Sequence, residues 1–101
     1  MDYNNLLKNK TALVTAGANG IGYAIAKKFE GSGAKVFVCD INQDAVDMVN
    51  KNHQNIKAIF CDLSQTQMIS SMVESAFDYL GHLNIIVNNA GIAGETAGVG
   101  E

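Results

Sequence analysis

Residues 15–22 read Thr15-Ala16-Gly17-Ala18-Asn19-Gly20-Ile21-Gly22. The apolar run Ala12-Leu13-Val14 leads into them, and the helix-like pattern Ile21-Gly22-Tyr23-Ala24-Ile25-Ala26 leads out. A glycine-rich turn between a buried strand and a helix gathers bare backbone N–H groups and the positive end of a helix dipole at one spot, which suits a phosphate. The rest of the chain can be laid out around that turn.

Upstream, residues 10–15 form a short β-favouring apolar run and predict a first strand. Downstream, residues 20–32 predict a helix with Ile21, Ala24, Ile25, Ala26 and Phe29 on its inward face, closed by Gly31 and Gly33. Residues 35–40 are nearly all apolar, as expected for a strand covered on both faces. Asn42 is placed to cap a second helix running to about Asn52, with Asp44 and Asp47 near its positive end and Ala45, Val46, Met48 and Val49 turned inward. A third strand over 56–61 follows. Ser64 is then expected to cap the clearest amphipathic helix, with Met68, Ile69, Met72, Val73, Ala76, Phe77 and Leu80 at spacings of three and four. Gly81 closes that helix, and residues 83–88 supply a fourth strand.

Alternating strands and helices predict an α/β fold with a parallel sheet. Right-handed crossovers give the order 3-2-1-4, with the first two helices on one face and the third on the other. The reversal between strands 1 and 4 opens a crevice at their carboxyl ends, where both the glycine turn and Asn88-Asn89-Ala90-Gly91 fall.

A length of 101 residues allows one domain. With 48% apolar residues and a net charge of −3, the composition suits a mildly acidic folded protein and gives no indication of disorder, nor of a surface for nucleic acid. Cys39 and Cys61 end strand-like runs without any Cys-x-x-Cys spacing, which predicts buried, reduced structural thiols and a cytoplasmic location. The first residues have no basic stretch ahead of an apolar core, and no apolar run approaches about 18 residues, so neither secretion nor membrane insertion is expected.

Four local signals together resemble one family. The glycine turn is similar to the Thr-Gly-x-x-x-Gly-x-Gly motif of the short-chain dehydrogenase/reductases, and Asn88-Asn89-Ala90-Gly91 matches their Asn-Asn-Ala-Gly element. Asp40 and the pair Asp62-Leu63 end strands 2 and 3, where that family places cofactor contacts. The resemblance covers essentially the whole chain. It implies a Rossmann-type dinucleotide-binding domain over residues 1–91, followed by a glycine-rich tail over 92–101 that is expected to be mobile.

Carried over residue by residue, the resemblance implies that Gly20 and Gly22 let backbone approach the pyrophosphate and the helix pack close to the strand, with Gly17, Asn19 and Ile21 also at the cofactor. Asp40 would accept hydrogen bonds from the ribose hydroxyls of NAD, and with no cation at Ile41 or Asn19 to receive a 2'-phosphate, NAD is favoured over NADP. Asp62 and Leu63 would bracket the adenine, although Asp62 could equally cap the following helix, or do both. Asn89, Ala90 and Gly91 would line the nicotinamide-side ribose, while Asn88 is mainly structural.

One departure lies inside the motif. The family's first glycine is Ala16 here, and if that position needs a positive φ, an alanine costs about 1 kcal/mol or more. His53 and His82 are single histidines near helix ends and read as exposed or capping. Tyr23 does have Lys27 four residues on, but on the cofactor helix, where the family's catalytic pair does not occur.

The family's catalytic Ser and its Tyr-x-x-x-Lys pair come after the Asn-Asn-Ala-Gly element, and this sequence has no counterpart to them. The chain alone is therefore expected to hold a cofactor without appreciable hydride transfer, and no catalytic residue is assigned. Strand 4 would be an edge with apolar side chains, which predicts homo-oligomerisation through that edge or the adjoining uncovered face. The alternatives to the cofactor-binding portion of an oxidoreductase are a non-catalytic NAD-binding module and an oligomerising module.

Overall fold

The computed structural model of the chain describes residues 5–89. In chain order they form β1 (Thr11–Thr15), α1 (Gly20–Gly31), β2 (Lys35–Asp40), α2 (Gln43–Asn52), β3 (Ile56–Phe60), α3 (Thr66–Leu80) and β4 (Ile85–Asn88). All strand pairs are parallel and the order is β3-β2-β1-β4, as the alternation predicts.

Strand periodicity divides the core in two. Ala12, Val14, Val36, Val38, Ile56 and Ala58 face one way and are covered by Ala26 of α1 and by Val46 and Val49 of α2. Leu13, Phe37 and Cys39 face the other way and pack with Cys61 and with Met72, Ala76 and Leu80 of α3. Phe37 is fully buried and its ring lies 6.2 Å from that of Tyr79. Burying a side chain of this size contributes about 1.5–3 kcal/mol, so the central strands account for much of the drive to fold.

The helix ends follow their local chemistry, with one exception. Asn42 caps α2 by accepting the Ala45 N–H at 3.0 Å. After α1, Gly33 adopts φ +100, and the Gly33 and Ala34 amides return to the carbonyls of Glu30 and Phe29, both at 3.0 Å. Ser64 does not cap α3, which begins at Thr66 after Gln65. Its hydroxyl and its N–H both donate to Asp62 Oδ1, at 2.7 and 3.0 Å, in a local turn that takes Ser64 out of reach of the helix.

The inward faces also differ in detail from the expected ones. Ile21 and Ala24 are exposed, and α1 instead turns Gly22 and Ala26 to the sheet. Close approach of Gly22 to the Ala16 carbonyl in the preceding turn sets that rotation. Met48 of α2 is likewise exposed, while Val46 and Val49 are buried. β4 starts at Ile85 because the Asn84 side chain accepts the Thr11 N–H at 3.0 Å, a bond the strand ladder would otherwise make.

Two side-chain clamps fix the helices laterally. Asn50 donates to and accepts from the backbone of Ala58, both at 2.8 Å, joining α2 to β3. His53, the C-cap of α2, is largely buried and bridges α1 to it. Its Nε2 lies 2.8 Å from the Tyr23 hydroxyl and its Nδ1 lies 2.7 Å from Glu30 Oε1. Glu30 Oε2 then accepts the Asn55 N–H at 3.1 Å. With the proton on Nδ1, Tyr23 donates to Nε2 and Nδ1 donates to Glu30, so both ring nitrogens have a partner. His82 is exposed, as expected.

Glu30→Ala removes the acceptor of both His53 and Asn55 and is expected to destabilise the fold by about 1–3 kcal/mol, against about 0.5–1.5 kcal/mol for Tyr23→Phe, read by urea unfolding. The buried thiol of Cys39 makes stability depend on alkaline pH. Burial first, and then the nearby Cys61, push the Cys39 thiol from 9.0 up to about 11. The folded state therefore prefers the neutral thiol. The stability this confers is complete below about pH 9 and is lost as pH rises to about 11. Cys39→Ala should lose less stability than the parent chain across that window in pH-dependent urea titrations.

Candidate functional site

The chain leaves β1 by a turn with almost no spare volume. Ala16, at the motif's first position, has φ +53, in the left-handed region. Gly17 rests on β2: its N–H donates to the Cys39 carbonyl at 3.2 Å, and a Cβ there would stand 2.7 Å from Val38 Cγ1. Gly20 has open space around it but adopts φ +63, so its requirement is conformational. At Gly22 a Cβ would collide with the Ala16 carbonyl oxygen and lie 2.8 Å from Asn89 Nδ2. Asn89 itself donates to the Ala16 carbonyl at 3.2 Å, tying the residue after β4 to the same turn.

α1 starts from this turn with its positive end unused. Asn19 has an extended backbone and makes no side-chain cap bond, and the first turn of the helix contains no acidic residue. Its leading N–H groups have no intrahelical acceptor. At α2, by contrast, Asn42 caps the helix and Asp44 sits in the first turn.

Beside the turn is a cavity of about 190 Å³ lined by Ala16, Cys39, Asp40, Ile41, Cys61, Asp62, Leu63 and Ser64. Asp40 is only 7% exposed, which sets it apart from a solvated strand-end carboxylate. Its Oδ2 accepts the Ala18 N–H at 3.0 Å and its Oδ1 the Asn42 N–H at 3.1 Å, so one side chain fixes the glycine turn to the start of α2. Hydrogen bonds from Ser64 hold the Asp62 carboxyl below the usual carboxylate range. Those bonds use Oδ1 and cap the local turn; α3 itself is left uncapped by Asp62.

The sequence-nominated residues thus fall into three groups. Asp40, Ile41, Asp62 and Leu63 share one cavity. Gly17, Asn19, Gly20, Ile21 and Gly22 form the adjoining turn and helix start, and Asn89 braces it from the β4 side. Ala90 and Gly91, with the tail over 92–101, lie outside the described residues. Asn88 accepts the Thr15 hydroxyl at 3.2 Å between two strand ends, in keeping with a structural role. Tyr23 and Lys27 are absent from the cavity; Lys27 Nζ lies 4.5 Å above the Tyr23 ring.

Four contributors were not nominated. Ala18 supplies an N–H to Asp40, and Ser64 holds Asp62; an Asp followed two residues later by Ser is the legible signal for the second. Cys39 and Cys61 are buried and free, as expected, yet they also form cavity wall. Each directly precedes a nominated aspartate, which is the only signal the sequence offers for them. Among the described residues no helix is long and apolar enough to cross a membrane, and no group of three or more His, Cys, Asp and Glu residues could hold a metal ion.

Comparison with known proteins agrees with this arrangement. A family model described as short chain dehydrogenase matches residues 10–99. A 3-oxoacyl-[acyl-carrier-protein] reductase of Chlamydia muridarum is 38% identical over 88% of this chain and 38% of its own length. A tropinone reductase homologue of Arabidopsis thaliana is 42% identical over 85% of this chain and 34% of its own. Among solved structures, a hydroxysteroid dehydrogenase from Escherichia coli superimposes with a TM-score of 0.73 at 37% identity, over 84% of this chain and 36% of that one. A 3-ketoacyl-(acyl-carrier-protein) reductase from Brucella melitensis, complexed with NADH, gives 0.74 at 28% identity, over 79% of this chain and 34% of that one. The chain thus spans between 34% and 38% of the length of these relatives. By sequence, by fold and by the placement of its motifs, it belongs to the short-chain dehydrogenase family.

Proposed function

We propose that this chain is the NAD-holding portion of a short-chain oxidoreductase. The observation that carries the reading is the apolar cavity bounded by the buried Asp40, set directly against a glycine turn and an uncapped helix start. The residues present suit a dinucleotide. Gly17 and Gly22 keep the turn clear of side chains, and the leading N–H groups of α1 are available to a pyrophosphate. Leu63 and Ile41 give an apolar slot for an adenine ring, and Asp62 Oδ2, which has no partner among the described residues, can accept from an exocyclic amine.

Asp40 supports NAD over NADP. Each of its oxygens accepts one backbone N–H and keeps capacity for a ribose hydroxyl. A 2'-phosphate at the same place would meet a carboxylate. Two like charges about 4 Å apart cost about 4 kcal/mol at an effective dielectric of about 20. Neither Ile41 nor Asn19 can offset that.

Bound there, the nicotinamide supplies the hydride chemistry; this chain's residues bind and orient it. The Tyr-x-x-x-Lys spacing in the sequence, Tyr23 to Lys27, is committed to the α1–α2 contact. No described residue at the cavity is therefore placed as the proton donor for hydride transfer, and the chain alone is expected to bind without turnover. A second reading, self-association, is favoured by one observation. Ile86 of β4 is 64% exposed, and Phe77 and Val73 of α3 are 48% and 38% exposed.

Calorimetric titration tests the first reading. NAD is expected to bind at least about 100-fold more tightly than NADP, and Asp40→Ser to narrow that ratio by weakening NAD and relieving NADP. Equal affinities for the two in the parent chain would sink the NAD assignment, and no heat with either would sink cofactor binding. Sedimentation tests the second: the parent chain is expected to associate at micromolar concentration and Ile86→Lys to shift it toward monomer. A parent chain that stays monomeric would rule that reading out.

A further inference from the structure

The glycine turn also holds a chemically reactive pair. Asn19 is the only asparagine of this sequence that is followed by glycine. It is exposed, and its side chain makes no cap bond to α1. Gly20 is exposed as well and has nothing within 4 Å of where a Cβ would stand. Its N–H is one of the leading groups of α1 that lack an intrahelical acceptor. Other asparagines are protected. Asn42, Asn50, Asn84 and Asn89 each commit the side-chain amide to a backbone group. Asn52 and Asn55 are exposed but are followed by the bulkier His53 and Ile56.

We propose that Asn19 is a site of spontaneous deamidation, and that the conversion withdraws the chain from dinucleotide binding. The Gly20 backbone nitrogen attacks the side-chain carbonyl carbon of Asn19. A C–N bond forms and closes a five-membered succinimide, the Cγ–Nδ2 bond breaks, and the amide leaves as ammonia with the proton lost by the Gly20 nitrogen. Water then opens the ring at either carbonyl. The product at position 19 is aspartate or, where the backbone is rerouted through the side chain, isoaspartate. Nothing is oxidised or reduced, and water is the only co-reactant.

The surroundings favour reaction at this pair. Ring closure needs the Asn19 backbone to rotate from its extended φ −151, ψ 173, and glycine as the next residue puts no side chain in the way. No side-chain cap bond is given up, and the Asn19 carbonyl is engaged only by the Tyr23 N–H at 3.3 Å. The positive end of α1 stabilises the negative charge that develops as the Gly20 nitrogen loses its proton.

Each product alters the site. Deamidation adds one negative charge to a chain of net charge −3. Aspartate is a good N-cap and suits the free chain, yet it puts a carboxylate where the leading N–H groups of α1 would receive a pyrophosphate. Isoaspartate lengthens the backbone by one carbon between Ala18, held by Asp40 Oδ2, and Gly22, pressed on the Ala16 carbonyl. Both products weaken dinucleotide binding, and a pyrophosphate bound to the same N–H groups slows the reaction. These effects on NAD rest on the cofactor reading; the conversion itself does not.

The test is warm incubation of the full chain at mildly alkaline pH, followed by intact mass and peptide mapping. A gain of one mass unit is expected at position 19 ahead of every other asparagine, with both aspartate and isoaspartate in the product. Asn19→Gln, which would have to close a six-membered ring, is expected to show no gain there. Another asparagine converting first, or an unchanged gain at that position in Asn19→Gln, would overturn the site. Saturating NAD is expected to slow the conversion several-fold, and Asn19→Asp, folded by circular dichroism, to bind NAD about 10-fold more weakly than the parent. The deamidated fraction, separated by anion exchange, gives the same comparison without a variant. Equal rates with and without NAD, or equal NAD affinity before and after conversion, would overturn the coupling to binding. No NAD heat from the unconverted parent would refute the cofactor reading and leave the deamidation site standing.

Discussion

Backbone lies against backbone at the turn after β1, at two points where no side-chain carbon fits. Gly17 is pressed onto Val38 in the middle of β2, and Gly22 onto the carbonyl of Ala16. The first contact fixes the turn on the sheet; the second fixes the start of α1 on the turn. Rotation of α1 follows, since Gly22 and Ala26 must face inward together and Ile21 and Ala24 must then face out. The unused N–H groups of the helix start are thereby held at the carboxyl ends of the strands, beside the cavity that Asp40 bounds.

Ala16 is the point of strain in this arrangement. Its φ of +53 is a conformation that costs a non-glycine residue about 1 kcal/mol or more. Two bonds hold the chain there: the Gly17 N–H to the Cys39 carbonyl on one side, and Asn89 to the Ala16 carbonyl on the other. Gly17 cannot take over the left-handed position, because its own place is fixed by contact with Val38. The two neighbouring residues therefore answer to different constraints, one conformational and one steric.

The sequence carried the topology well because each element has its own period and punctuation. Continuous apolar runs gave the central strands, Gly33 and Gly81 the helix ends, and Asn42 a cap that the structure contains. Positions decided by contact between elements were less legible. The inward face of α1 depends on a backbone collision at Gly22. Ser64 looked like a cap but has a nearer acceptor in Asp62. His53 looked like an isolated helix-end residue, yet Glu30 and Tyr23, 23 and 30 positions away, absorb both ring nitrogens. Cys39 and Cys61 were legible as buried, but the cavity they wall arises only when β2 and β3 end side by side.

Coverage, more than composition, explains the remaining apolar surface. Two helices share one face of a four-stranded sheet, while α3 alone serves the other and packs on β2 and β1. Centred there, it leaves β4 at the margin, and Val73 and Phe77 on its flank have no facing element among the described residues. The β3 margin is treated differently, for Asn50 engages both backbone groups of Ala58 and blunts that edge. One margin of the sheet is thus closed by hydrogen bonds from within the chain, and the other presents Ile86 with apolar neighbours, the combination expected where a further surface is meant to pack.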